Sequence, residues 1–114
     1  MTLDELFTDL ATGLADETGE AEGAGAAPLE TSEDEHGREW RLRGASFAAV
    51  HGPVAEFRLD PMLAGAAVRT PDARPSQRGT AWVTFEPVEL DDLALDRAEA
   101  WFVAAFRRAE RGGP

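Results

Sequence analysis

Leu3, Leu6, Phe7, Leu10 and Leu14 recur at helical spacing and predict a short amphipathic helix over about residues 3–15. Thr2-Leu3-Asp4-Glu5 has the form of a capping box, in which hydroxyl and carboxylate each accept the other residue's amide. From Glu17 to Gly37 the apolar periodicity stops. Glycines, acids and alanines dominate there, and Leu29 is the one large hydrophobe. Such a stretch buries too little surface to offset chain entropy, so it predicts a loop or linker.

Alternation takes over next. Arg38 to Arg43 places Trp40 and Leu42 on one face, and Ser46 to Val50 forms a second strand. His51-Gly52-Pro53 makes a tight turn into a third strand, Val54 to Leu59. In that strand Ala55, Phe57 and Leu59 point inward, with Glu56 and Arg58 outward. Asp60-Pro61 is a helix start, an acid at the cap and proline in the first turn. Met62, Leu63, Ala66 and Ala67 are its sheet-facing set. Thr70 to Gly79 is too rich in proline for a strand.

Thr80 to Phe85 is aromatic and β-branched, the best strand in the chain. A last helix follows from about Asp91 to Arg111. Its stripe is Ala94, Leu95, Ala98, Trp101, Phe102, Ala105 and Phe106, with acids at its start and arginines at its end. The expected class is α+β: an antiparallel sheet of about four strands, helices on one face, order α-β-β-β-α-β-α. The expected organisation is a helix over 1–16, an acidic linker over 17–37 and a body over 38–114. Trp40, Trp82, Trp101, Phe102 and Phe106 are the expected core.

Charge divides the chain. The net charge of −11 lies in Met1 to His36, which holds eleven acids and neither Arg nor Lys. The remainder carries eleven acids and eleven arginines and sums to zero. Polyanion binding needs a broad positive footprint, and this balance argues against it. Cys, Lys and Tyr are absent, which removes a thiolate nucleophile, a Schiff-base lysine and a tyrosyl acid. No signal-peptide pattern or run of about 18 apolar residues occurs, so the expected location is cytoplasmic, without membrane.

Residues from about Arg43 to Ala109 resemble the YjbR/MmcQ-like family of small bacterial proteins and its luciferase-domain-like relatives. The features are Gly44-Ala45-Ser46-Phe47-Ala48, Phe57-Arg58-Leu59-Asp60-Pro61 leading into an Ala-rich helix, and Arg78-Gly79 through Trp82-Val83. The resemblance implies a CyaY-like α+β fold and, through the family's usual label, DNA binding. This chain departs from the pattern in its lack of Lys and its acidic leader.

Arg74 and Arg78 are the strongest candidate contacts, because the guanidinium offers a fork to carboxylate or phosphate. Trp82 is either an aromatic wall beside them or a core residue. Their alternative partner is the chain's own acidic leader. His51 is a candidate base or ligand at a hairpin tip, or a solvated turn residue. Glu33-Asp34-Glu35-His36 lacks metal-ligand spacing, and Ser46 and Ser76 lie outside any nucleophile-elbow pattern. The expectation is a non-enzymatic protein-interaction module, without catalytic residues, metal or cofactor, acting as monomer or homodimer. The alternatives are a nucleic-acid binder and a ligand-binding accessory domain with a pocket between the sheet and the last helix.

Overall fold

In the computed structural model, residues 1–18 and 29–111 are described. The elements run α1 (Leu3–Thr18), β1 (Leu29–Asp34), β2 (Gly37–Leu42), β3 (Ala45–His51), β4 (Val54–Arg58), α2 (Pro61–Ala67), β5 (Ala73–Pro75), β6 (Trp82–Phe85) and α3 (Asp92–Arg111). The class is α+β, with one antiparallel sheet of strand order β1-β2-β3-β4-β6-β5. The sheet thus has six strands rather than about four.

Both additional strands are edges. Leu29–Asp34, expected as loop, pairs along its length with β2. Its residues from Glu30 to Asp34 are all exposed, so no apolar alternation marks it. Its hairpin is set instead by Asp34, whose Oδ1 accepts the amides of His36 at 2.8 Å and Gly37 at 3.1 Å. The part of the expected linker over 19–28 lies outside the described residues. Ala73–Pro75 forms β5 despite Pro75, since a residue on the outer edge needs no ladder donor on that side.

The capping box forms as the sequence dictates. The Thr2 amide donates to Glu5 Oε1 at 2.8 Å, and the Glu5 amide to Thr2 Oγ1 at 3.1 Å. The helix behind it docks on the sheet. Phe7 is fully buried, stacked on Phe102 at 4.7 Å and edge-on to Trp40 and Phe57. The acidic N-terminal helix is therefore an integral part of the core.

Asp91 Oδ1 caps α3 by accepting the Ala94 amide at 2.9 Å. The helix buries Ala94, Ala98, Trp101, Phe102, Ala105 and Phe106, the stripe its spacing predicts, with Leu95 half-buried. Trp101 fills the space beneath it, 5.3 Å from Phe85 and 6.0 Å from Phe57. The space where the ligand-binding alternative would set a pocket, between sheet and last helix, is thus filled by side chains.

Two expectations for α2 need correction. Ala64 and Ala67 are its buried residues, and Met62 is fully in solvent. Asp60 makes no side-chain cap. Its carboxylate turns to the end of α3 instead, 2.7 Å from Arg111 and 3.6 Å from Arg108.

A β-bulge decides what reaches the opposite face. Trp40 pairs with Ala48 and Arg41 with Ser46, so Phe47 is the extra residue. Phe47 joins the aromatic core against Phe102 and Phe106. Ser46 returns to the face that α1 and α3 leave uncovered.

Candidate functional site

Cross-strand register builds a polar row on that open face. Ser32 lies opposite Glu39, Glu39 opposite Ala49, Ala49 opposite Glu56, Glu56 opposite Thr84 and Thr84 opposite Arg74. Directly paired residues share a face, so this row runs over all six strands. Arg58 and Trp82 form a neighbouring pair on β4 and β6.

Glu56 is the hub. Its side chain is only 12% exposed. It accepts from Ser76 Oγ at 2.7 Å, Arg78 Nε at 2.6 Å and Thr84 Oγ1 at 3.1 Å. His51 Nε2 lies 3.5 Å away. Arg78 also donates to Glu39 at 2.9 Å, and Glu39 accepts from Arg41 at 3.0 Å. The loop after β5 makes this reach possible. The Ser76 amide donates to the Trp82 carbonyl, the Trp82 amide to the Gly79 carbonyl, and Ser76 Oγ accepts the Arg78 amide. The loop thereby folds Arg78 back over the sheet.

Burial by itself would raise the pKa values of Glu56 and Glu39. For Glu56, hydrogen bonds from Ser76, Arg78 and Thr84 and the Arg78 charge outweigh it, and the carboxyl sits below its ordinary 4.5. For Glu39, Arg78, Ser46 and Arg41 do the same. Burial would lower the Arg78 pKa, but its bonds to Glu56 and Glu39 raise it instead. The three groups therefore hold one another charged.

No family model matches the chain, and no curated protein or solved structure matches it. The site's chemistry must be read from its own geometry.

The structure brings three of the four candidate residues together. Arg78, Trp82 and His51 surround the Glu56 network, and the Arg78 guanidinium lies 5.1 Å from the Trp82 ring centroid. Trp82 is half-buried on the open face and stands apart from the core, contrary to its place in the expected aromatic cluster. Phe7, Phe47, Phe57 and Phe85 complete that cluster instead. Arg74 stands apart, paired with Glu86 at 3.1 Å in solvent. Among the described residues, neither arginine pairs with the acidic leader. The leader's Asp4 and Glu33 hold Arg38, at 2.7 and 3.3 Å.

Ser76, Glu56 and His51 do not form a nucleophile–base–orienter chain. Here the carboxylate sits between hydroxyl and imidazole, whereas proton removal needs the imidazole in the middle. A carboxyl with a lowered pKa and three donors is also a weak base. Among the described residues, no cluster of three or more His, Cys, Asp or Glu is placed to hold a metal ion.

Glu56 is not among the sequence-predicted site residues, and Ser76 enters there only as a nucleophile set aside. A signal for Glu56 existed: it is the acid at the centre of Val-Ala-Glu-Phe-Arg, facing away from the core. Ser76 carries no such signal, since only the loop's return places it there.

Proposed function

We propose that this protein is a non-enzymatic interaction module that docks a protein partner on its open sheet face. The observation that carries this reading is the pair Trp82 and Arg58. Trp82 lies half-exposed under Arg78, and Arg58, its cross-strand neighbour, has no acidic partner among the described residues. Trp and Arg are the residue types that dominate binding energy at protein interfaces. The Glu39–Arg78–Glu56 network beneath them, with Arg41 on Glu39, sets two guanidiniums against two carboxylates, so docking over it exposes no new unpaired charge. Charge complementarity selects a partner surface that offers a carboxylate to Arg58 beside an apolar contact for Trp82.

The resemblance to the YjbR/MmcQ-like family supports nucleic-acid binding as the rival reading. The open face carries Arg41, Arg58, Arg74 and Arg78, but Glu39, Glu56 and Glu86 interleave with them and Glu30 lies opposite Arg41. That supports a protein surface over a phosphate backbone. Among the described residues, no helix is long and apolar enough to cross a membrane. We place the protein in the cytoplasm, as monomer or homodimer.

The test is affinity capture from lysate with wild type, Arg58→Glu, Trp82→Ala and the remote Met62→Asp. A partner lost at least tenfold with the first two and kept with the third supports the reading. Equal recovery with all four contradicts it, and so does a nuclease-sensitive, salt-sensitive catch.

A further inference from the structure

The two outer edges of the sheet differ. β5 is three residues long and ends in Pro75, which blunts it. β1 is six residues long, has no proline and pairs with β2 without a bulge. The two-residue turn Glu35-His36 makes Asp34 and Gly37 a hydrogen-bonded pair, and such pairs alternate along an antiparallel ladder. Asp34, Ser32 and Glu30 therefore aim their amides and carbonyls at β2. Leu29, Thr31 and Glu33 aim theirs away from the sheet, where no described residue meets them. An open edge of this kind is a template for one more strand.

A cleft lies beside this edge. Thr31 pairs with the buried Trp40 and so faces the α1 side, yet it is exposed. The space between α1 and β1, about 200 Å³, is walled by Thr8, Thr12 and Ala15 of the helix and by Leu29 and Thr31 of the strand. Each of these five is at least partly exposed, so the cleft can be reached. Paired strands lie about 4.8 Å apart. A side chain opposite Thr31 on an added strand thus stands at the mouth of the cleft, whose methyl-bearing walls suit a small apolar group.

Charge selects the occupant. Glu30, Glu33 and Asp34 are exposed along the edge. Glu30 has no basic partner among the described residues, because Arg41 opposite it donates to Ser32 and Glu39. Two copies of this edge would set those acids against one another, and like charges across a strand pair are destabilising. A strand carrying basic side chains meets attraction instead.

We propose that an extended basic segment of a partner protein adds to β1 as a seventh, antiparallel strand. Its basic side chains lie opposite Glu30 and Asp34 on the open face, and a small apolar side chain enters the cleft beside Thr31. β1 is remote in the sheet order from Trp82 and Arg58, so this edge stands or falls independently of docking there.

Amide chemical shifts of the full chain test the proposal during titration with three capped hexapeptides. The first alternates arginine and valine, the second alternates glutamate and valine, and the third is the first N-methylated at its second valine, which removes the amide that faces Thr31. The expected result is saturable shifts and slowed hydrogen exchange at Leu29, Thr31 and Glu33 with the arginine peptide, and binding at least tenfold weaker with the other two. Glu30→Lys weakens the arginine peptide at least fivefold, and Met62→Asp leaves it unchanged. No saturable binding at millimolar peptide, shifts centred away from β1, equal binding of either control peptide, or indifference to Glu30→Lys would overturn it. So would a dimer of the chain held through β1 without peptide.

Discussion

Arg78 is where single-residue chemistry is most concentrated. One guanidinium closes on Glu56, Glu39 and the face of Trp82. Removing it takes the one guanidinium from Glu56, which keeps the Ser76 and Thr84 hydroxyls, and leaves Glu39 with Arg41. A fully buried pair broken this way costs about 3–5 kcal/mol. The Arg78 side chain is 35% exposed, so solvent screening reduces the expected loss to about 2 kcal/mol. Arg78→Ala should show that loss in a urea melt, and Arg78→Lys should recover only part, since an ammonium lacks the fork. An unchanged midpoint would mean the network is ornamental.

The same carboxylates fix a pH dependence. Both are depressed in the folded state, so the unfolded chain binds more protons as pH falls through 4.5. Their stabilisation is complete above that value and is lost as pH drops through the lower folded values. Urea midpoints measured from pH 6 to pH 3 should fall more shallowly in Glu56→Gln than in wild type. Parallel curves would assign the acid sensitivity elsewhere.

Among the elements, those with one apolar and one polar face were legible in the sequence. The spacings of α1 and α3 and the alternation of β4 place the right side chains inward. Elements held by backbone pairing rather than burial were not legible. β1 is exposed from Glu30 onward, and β5 carries a proline that only an edge admits. Trp82 was misplaced for a related reason: its ring is covered by Arg78, which arrives through a loop without periodicity. At the candidate site, the outward direction of Glu56 and Arg58 was readable from alternation, whereas their partner in Ser76 needed tertiary contact.

The helix α1 carries an energetic consequence. Phe7 has no exposed surface and meets three aromatic rings. Phe7→Ala should cost about 3–5 kcal/mol, a large share of the roughly 5–15 kcal/mol that holds a domain folded. Thermal melts should show a midpoint lowered by at least about 10 °C, and a cut removing residues 1–36 should abolish cooperative folding. A truncated chain that melts cooperatively would detach the leader from the core.

Over the whole molecule, charge and coverage are both asymmetric. Among the described residues, the acids of the N-terminal segment outnumber the arginines they meet, while the open face is balanced within itself. Helices seal one side of the sheet and leave the other with a hydrogen-bonded polar centre beside Trp82 and Arg58. The central claim is that a protein partner completes this uncovered side. A photo-crosslinking residue placed at position 58, compared with one at position 99 on the exposed side of α3, tests it most directly. The account predicts that a protein adduct forms from position 58 and that its yield falls when Trp82→Ala is added, with position 99 silent. Equal adducts from both positions, or a position 58 product that is nucleic acid, would contradict it.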